Sequence, residues 1–187
     1  MKEFIKDILI ALAIVVLLTL VIKPTIVKES SMEDTLHENN YLILNKLAYI
    51  NKDHPDYGDI IVFESDIYNS DANAATQFLN KITGGSQNKL LIKRVIGVEG
   101  DTITIANGYV YRNGQKLNED YIKCDFDEGT EGAIHNYVVP DNKLFVMGDH
   151  RTVSTDSRSD QVGTVDEDRI VGKAVLRLYP FSEIRTF

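Results

Sequence analysis

Leu90-Leu-Ile-Lys-Arg-Val-Ile-Gly97 is an apolar run of strand-forming residues with two cations side by side in its middle. Val and Ile favour a pleated, half-buried backbone, and Asn88 before the run and Gly97 at its end mark strand boundaries. Successive side chains of a strand leave on opposite faces, so one of Lys93 and Arg94 has to point inward. A buried cation is costly unless it is paired or neutralised. Asp149 or Asp156, far along the chain, could neutralise the arginine and leave the lysine to lose its proton. The competing reading puts Lys93 on an edge strand, facing water.

Outward from this run the same texture recurs. Tyr41–Leu44, Asp59–Phe63 and Thr102–Ile105 are β-rich and bounded by Gly, Asp or Asn, and Tyr137–Val139, Lys143–Met147 and Val171–Leu178 extend the series. Asn107-Gly108 and Asn113-Gly114 are two-residue hairpin signals, so the chain from Ile103 to Leu117 reads as a meander. Long amphipathic helices are missing. The best helix candidate, Ala72–Ile82, lies within the polar stretch from Ser65 to Asn88, which reads as an inserted flap over the sheet or as a surface loop. The expected class is mainly β, with antiparallel sheets and hairpins, residues 65–88 inserted and residues 100–147 a hairpin-rich elaboration.

Upstream, Ile8 to Ile22 reads ILIALAIVVLLTLVI with only Thr19 polar, and counting from Phe4 gives nineteen residues, enough for a bilayer core at about 1.5 Å per residue. The residues after it, Lys23-Pro24-Thr25-Ile26, lack the small-residue pattern of a cleaved signal. A soluble core helix would carry a polar stripe, and none is present. The reading is an uncleaved transmembrane anchor over 1–23 and a second unit over 24–187. Its charges leave the orientation open, because Lys2 and Lys6 are offset by Glu3 and Asp7 while Lys23 and Lys28 flank the other end.

Composition excludes other classes. With 187 residues and a formal charge of -8, and with no basic patch, the chain is not expected to bind nucleic acid. The single cysteine, Cys124, cannot close an intrachain disulfide and reads as a structural thiol. His37, His54, His135 and His150 share no motif and read as solvated or hydrogen-bonded surface histidines, so no metal site is expected.

Just past the anchor, Ser30 and Ser31 stand before Met32. A serine pair in such a window is common in turns and says little alone. Gly148-Asp149-His150-Arg151 and Ser154-Thr155-Asp156-Ser157-Arg158 add acids, hydroxyls and guanidiniums that a simple fold does not need. A serine hydroxyl is a poor nucleophile until a base takes its proton, and a desolvated lysine can be that base if its pKa falls from about 10.4 to roughly 7–8. That is a physical route to a Ser/Lys dyad.

Taken together, the chain resembles the bacterial type I signal peptidases, membrane-anchored serine endopeptidases of peptidase family S26. Five segments carry the likeness in order: the anchor, SMxxTL at Ser31–Leu36, YGDIIVF at Tyr57–Phe63, KRVIGxxGD at Lys93–Asp101 and GDxRxxSxDSR at Gly148–Arg158. The resemblance implies Ser31 as nucleophile and Lys93 as general base, with Ser154 bonding the lysine. It implies that Asp149, Arg94, Asp156 and Arg158 form a charged scaffold and that the Ser31 backbone N–H serves an oxyanion. Met32, Leu36, Leu91 and Ile92 would line shallow pockets that select A-x-A sequences, and the substrate would lie as an added strand. It further implies a cytoplasmic N-terminus, an extracytoplasmic catalytic body, signal-peptide-bearing precursors as partners, and no cofactor.

The sequence departs from the family at four places: Asp34 and Glu99 stand where proline is usual, His150 where asparagine is, and Glu29 where Gly or a hydroxyl residue is. These changes suggest a specialised paralogue serving a restricted set of precursors, surface pilins being one example. The alternative is a non-catalytic or weakly catalytic pilus-assembly factor on the same scaffold. Self-cleaving Ser/Lys repressors share the dyad logic but need a DNA-binding module in place of the anchor.

Overall fold

The computed structural model describes residues 2–50, 54–69, 82, 88–124 and 129–187. Helix α1 (Lys2–Val21) has residues 3–20 exposed on every side. Its span Glu3–Val21, with mean hydropathy 2.7 and no part of its most apolar stretch buried, is long and apolar enough to cross a membrane. The helix stops at Val21 because the next residue, Ile22, is already paired with Asn45 in a sheet.

Among the described residues twelve strands follow: β1 (Ile22–Ile26), β2 (Tyr41–Asn45), β3 (Ile60–Tyr68), β4 (Asn88–Gly97), β5 (Thr102–Ala106), β6 (Tyr109–Arg112), β7 (Gln115–Lys116), β8 (Ile134–Val138), β9 (Lys143–Met147), β10 (Val165–Asp166), β11 (Ile170–Tyr179) and β12 (Arg185–Thr186). Their pairings are antiparallel. The larger sheet runs β1-β2-β11-β3-β4-β9-β10, with β12 beside β11, and the smaller runs β7-β6-β5-β8. Pro24 sits in edge strand β1, where its missing N–H costs no ladder bond. Both Asn-Gly pairs take positive φ at each residue, the geometry that a two-residue hairpin turn requires.

The larger sheet is covered on both faces, which is why its strands read as continuous apolar runs. Ile60 and Val62 face one cluster with Met32, Leu36, Leu42, Leu44 and Ala174. Ile61 and Phe63 face the other, with Leu91, Val95, Leu144 and Val146. A third cluster, around Ile96, Ile103, Phe145 and Met147, joins the two sheets. The elaboration expected to run from 100 to 147 forms the smaller sheet only as far as Val138. Beyond it, β9 returns to the larger sheet, where Leu144–Met147 are buried. Of the expected insertion, residues 65–68 prolong β3 and Asn88 opens β4. The Ala72–Ile82 helix falls, but for Ile82, outside the described residues.

Candidate active site

Lys93 and Arg94 leave β4 on opposite faces, Lys93 fully buried and Arg94 half-buried. Lys93 is the one that points fully inward, and because each face of the sheet carries its own core, Arg94 is largely covered as well. The two cations are handled differently. Arg94 donates from Nε to Asp149 Oδ1 at 2.8 Å and from Nη2 to Oδ2 at 2.6 Å. Its Nη1 donates to the Gly58 carbonyl at 2.9 Å, and its guanidinium lies 4.0 Å from the ring centre of Tyr121. Of the two carboxylates open to it in sequence, Asp149 is therefore the partner. Asp156 instead holds Arg158 at 2.9 Å through both oxygens and accepts from the Gly148 N–H at 3.0 Å. Burial pushes the Asp156 carboxyl up, but Arg158 and the Gly148 N–H outweigh it and hold it below the usual carboxylate range.

Lys93 has no such ion pair. Only 1% exposed, it donates from Nζ to Ser31 Oγ at 2.6 Å. Burial lowers its pKa to about 8, against the opposing pull of Asp156, Glu29 and Asp149 and with some help from Arg158. Ser31, 62 positions earlier, is 8% exposed. Its backbone is fixed from behind: the His150 N–H donates to the Ser31 carbonyl at 3.1 Å. Gly148 lets this approach happen, since a Cβ there would overlap the Ser31 carbonyl and the Ser154 hydroxyl. Downstream, the Leu36 N–H closes a turn on the Met32 carbonyl, and Arg177 reaches from β11 to the Thr35 carbonyl at 3.0 Å. Among the described residues, no acceptor takes up the Ser31 N–H.

Ser154 does not make the expected bond to the lysine. Its Oγ is buried over Gly148 with no partner in hydrogen-bond geometry, beside the Asp156 carboxylate that it helps keep ionised. The lysine instead reaches the hydroxyl of Ser31. The anticipated pocket residues also divide. Ile92 lines a groove of about 720 Å³ running from Lys23 to Ser31 across β3 and β4, and Leu91 lines a second of about 450 Å³ on the other side of Ser31. Met32 and Leu36 line neither groove. They are fully buried in the core, because the turn that presents Ser31 aims both side chains into the sheet, where Ile92 packs against their cluster.

Along β4, β3 pairs with residues from Asn88 to Arg94, whereas β9 pairs only from Arg94 onward. The edge of Asn88–Lys93 facing away from β3 thus carries no strand among the described residues, and the second groove lies there between Lys89 and Leu91 on one wall and Lys28–Ser31 on the other. Glu29 turns to Lys89, 3.7 Å away, with half its side chain exposed.

His150 is buried behind Ser31, not a surface histidine as expected, with Nδ1 3.7 Å from Glu33. Sequence reasoning also overlooked Arg151 as an individual residue. Fully buried, it binds both oxygens of Glu119, the Thr130 hydroxyl at 2.7 Å and the Gly148 carbonyl at 3.0 Å. It ties the loop behind Ser31 to the chain beyond the smaller sheet's hairpins. Its place inside Gly148–Arg151 was the available signal. Arg177, a cation in the largely apolar strand β11 that also carries Lys173, offered a signal like that of Lys93.

The chain that carries this arrangement is similar to known proteins. Residues 1–179 match the family described as signal peptidase, peptidase S26. A Synechocystis protein assigned as signal peptidase I-1 is 35% identical over 182 residues, 97% of this chain and 84% of that one. Signal peptidase I P of Bacillus subtilis subsp. natto is 34% identical, over 98% of this chain and 91% of its own length. Signal peptidase IB of Staphylococcus aureus is 31% identical, over 98% and 94%. The crystal structure of a signal peptidase I from Enterococcus faecalis aligns with 65% of this chain and 97% of its own, at 25% identity and a TM-score of 0.47. The chain belongs to the peptidase S26 family of signal peptidases. Its apolar N-terminal helix fits the membrane anchoring of a protein of this kind.

Proposed function

We propose that this protein removes signal peptides from exported precursors, cleaving after small residues of the A-x-A kind, with Ser31 as nucleophile and Lys93 as general base. The observation that carries the reading is the 2.6 Å contact between Lys93 Nζ and Ser31 Oγ, made by a lysine that burial has brought to a pKa of about 8. Near that pH a substantial fraction of the amine is neutral and able to take a proton. As Ser31 Oγ attacks the scissile carbonyl carbon, its proton passes to Lys93. The developing oxyanion is received by the Ser31 N–H. Lys93 then protonates the departing amine, and the Ser31 ester is hydrolysed by a water that gives its proton to the same lysine. Asp149, Arg94, Asp156 and Arg158 hold the surrounding backbone, and Ser154, whose hydroxyl is buried within the site, joins the lysine when substrate excludes water.

The substrate adds as a strand to the free edge of Asn88–Lys93, where backbone hydrogen bonds give binding and the grooves beside Leu91 and Ile92 give selection for small side chains. With α1 in the cell membrane and the N-terminus cytoplasmic, the catalytic body works on the outer face, on emerging precursors that include pilins as one candidate set. The residues divide accordingly into an anchor at 1–23 and a catalytic unit at 24–187.

The test is cleavage of an A-x-A precursor by the detergent-solubilised chain. Ser31→Ala and Lys93→Ala should each abolish turnover while retaining the β-sheet circular dichroism of the parent, and activity in either variant would remove the dyad.

A further inference from the structure

Glu29 stands two residues before Ser31 and lines both grooves that open onto it. Its ion pair with Lys89 joins facing walls: Glu29 belongs to the segment leading into Ser31, Lys89 to the part of β4 whose outer edge carries no strand among the described residues. A peptide added to that edge passes between the walls at the point where this pair closes the gap. A half-exposed contact at 3.7 Å is weak and readily parted. Once parted, Glu29 is a bare carboxylate beside the substrate and within the field of the reacting atoms. Its charge opposes an oxyanion on the substrate, and it favours the ammonium form of Lys93 over the neutral amine. A cation brought by the substrate would cancel both effects, as Lys89 does before binding.

We propose that Glu29 is a specificity-determining residue that reads charge in the precursor, favouring a basic side chain within a few residues of the scissile bond and disfavouring an acidic one. The proposal rests on the endopeptidase reading above and deepens it, because a general signal peptidase needs no carboxylate at this position. Glu29 is a selector here and takes no part in bond making.

The test uses the full chain in detergent micelles and peptides with one A-x-A site, carrying Lys, Gln or Glu in turn at each position from three before to two after the scissile bond. For the wild type, kcat/KM at the most responsive position should favour Lys over Glu roughly fivefold, the scale of a partly exposed ion pair, and the ratio should shrink as salt is added. Glu29→Gln should bring the ratio close to one and move the pH–rate midpoint of the Gln peptide downward. Lys89→Gln, which leaves the carboxylate without its partner, should widen the preference for Lys. A Lys-to-Glu ratio unchanged in Glu29→Gln overturns the proposal while leaving the endopeptidase reading standing, whereas a wild type that cleaves none of the peptides overturns both.

Discussion

Arg94 and Asp149 meet through two parallel N–H···O bonds across the sheet, 55 positions apart in the chain, with the carboxylate fully buried. They fasten β4 to the segment that carries Ser154 and Asp156, so the strand that supplies the candidate base and the loop that backs the candidate nucleophile cannot drift independently. Removing one partner of such a pair leaves an uncompensated buried charge. Asp149→Asn is expected to destabilise the fold by about 3 kcal/mol, read as a lower denaturation midpoint at unchanged slope. A midpoint equal to the parent's would mean that Arg94 finds compensation elsewhere.

Lys93 gives a pH signature with a definite sign. With the neutral amine as the proposed base, kcat/KM should rise with pH through a midpoint near 8 and level off above it. The folded pKa lies below the unfolded one, so the unfolded chain binds more protons between those values, and stability contributed by this residue rises with pH across that window. Below about 8 both states are protonated and the contribution is absent. Comparing wild type with Lys93→Met by denaturant unfolding, Met should be the more stable at pH 7 by about 3 kcal/mol, with the gap closing as pH increases toward 10.5. A gap constant in pH would contradict a desolvated lysine.

Gly148 is the point at which the loop touches the Ser31 carbonyl. Gly148→Ala forces the two backbones apart, and because displacements of about 1 Å at a reacting group can cost a hundredfold, kcat/KM should fall by about that factor. Thermal melting should fall only modestly, since the clash can be relieved by moving the loop. Full activity in this variant would show that the loop tolerates the extra atom in place.

The Arg151 and Glu119 side chains offer a control distant from Ser31 Oγ. Glu119→Gln keeps the shape but removes the charge opposite a buried guanidinium, so unfolding should become easier by about 2–3 kcal/mol. The midpoint of the pH–rate profile should stay close to where it is, because Glu119 is not among the main charges acting on Lys93.

The strands from Tyr41, Asp59, Leu90, Thr102 and Lys143 were legible because β-branched runs ended by Gly, Asn or Asp carry a local signal. The two Asn-Gly turns were legible for the same reason, since the required positive φ is a property of those residues. Strand β1 was hidden behind Pro24 and the adjoining anchor, and only an edge position, which no local pattern reveals, makes the proline acceptable. At the site, the pair of cations inside an apolar strand pointed to Lys93, and the choice between Asp149 and Asp156 for Arg94 could be made only in three dimensions. Met32 and Leu36 were legible as important apolar positions but not as core, because a turn of six residues aims side chains by backbone angles that composition does not encode. The burial of His150 depends likewise on a hydrogen bond made by its own backbone.

Helix α1 passes into β1 without an intervening loop, and the Lys46 N–H donates to the Val21 carbonyl at the junction. Ten positions separate the end of the helix, Val21, from Ser31, a reach of at most about 33–36 Å even for fully extended chain. Chain length alone thus confines Ser31 to a shell around the end of the apolar helix, whatever residues flank it.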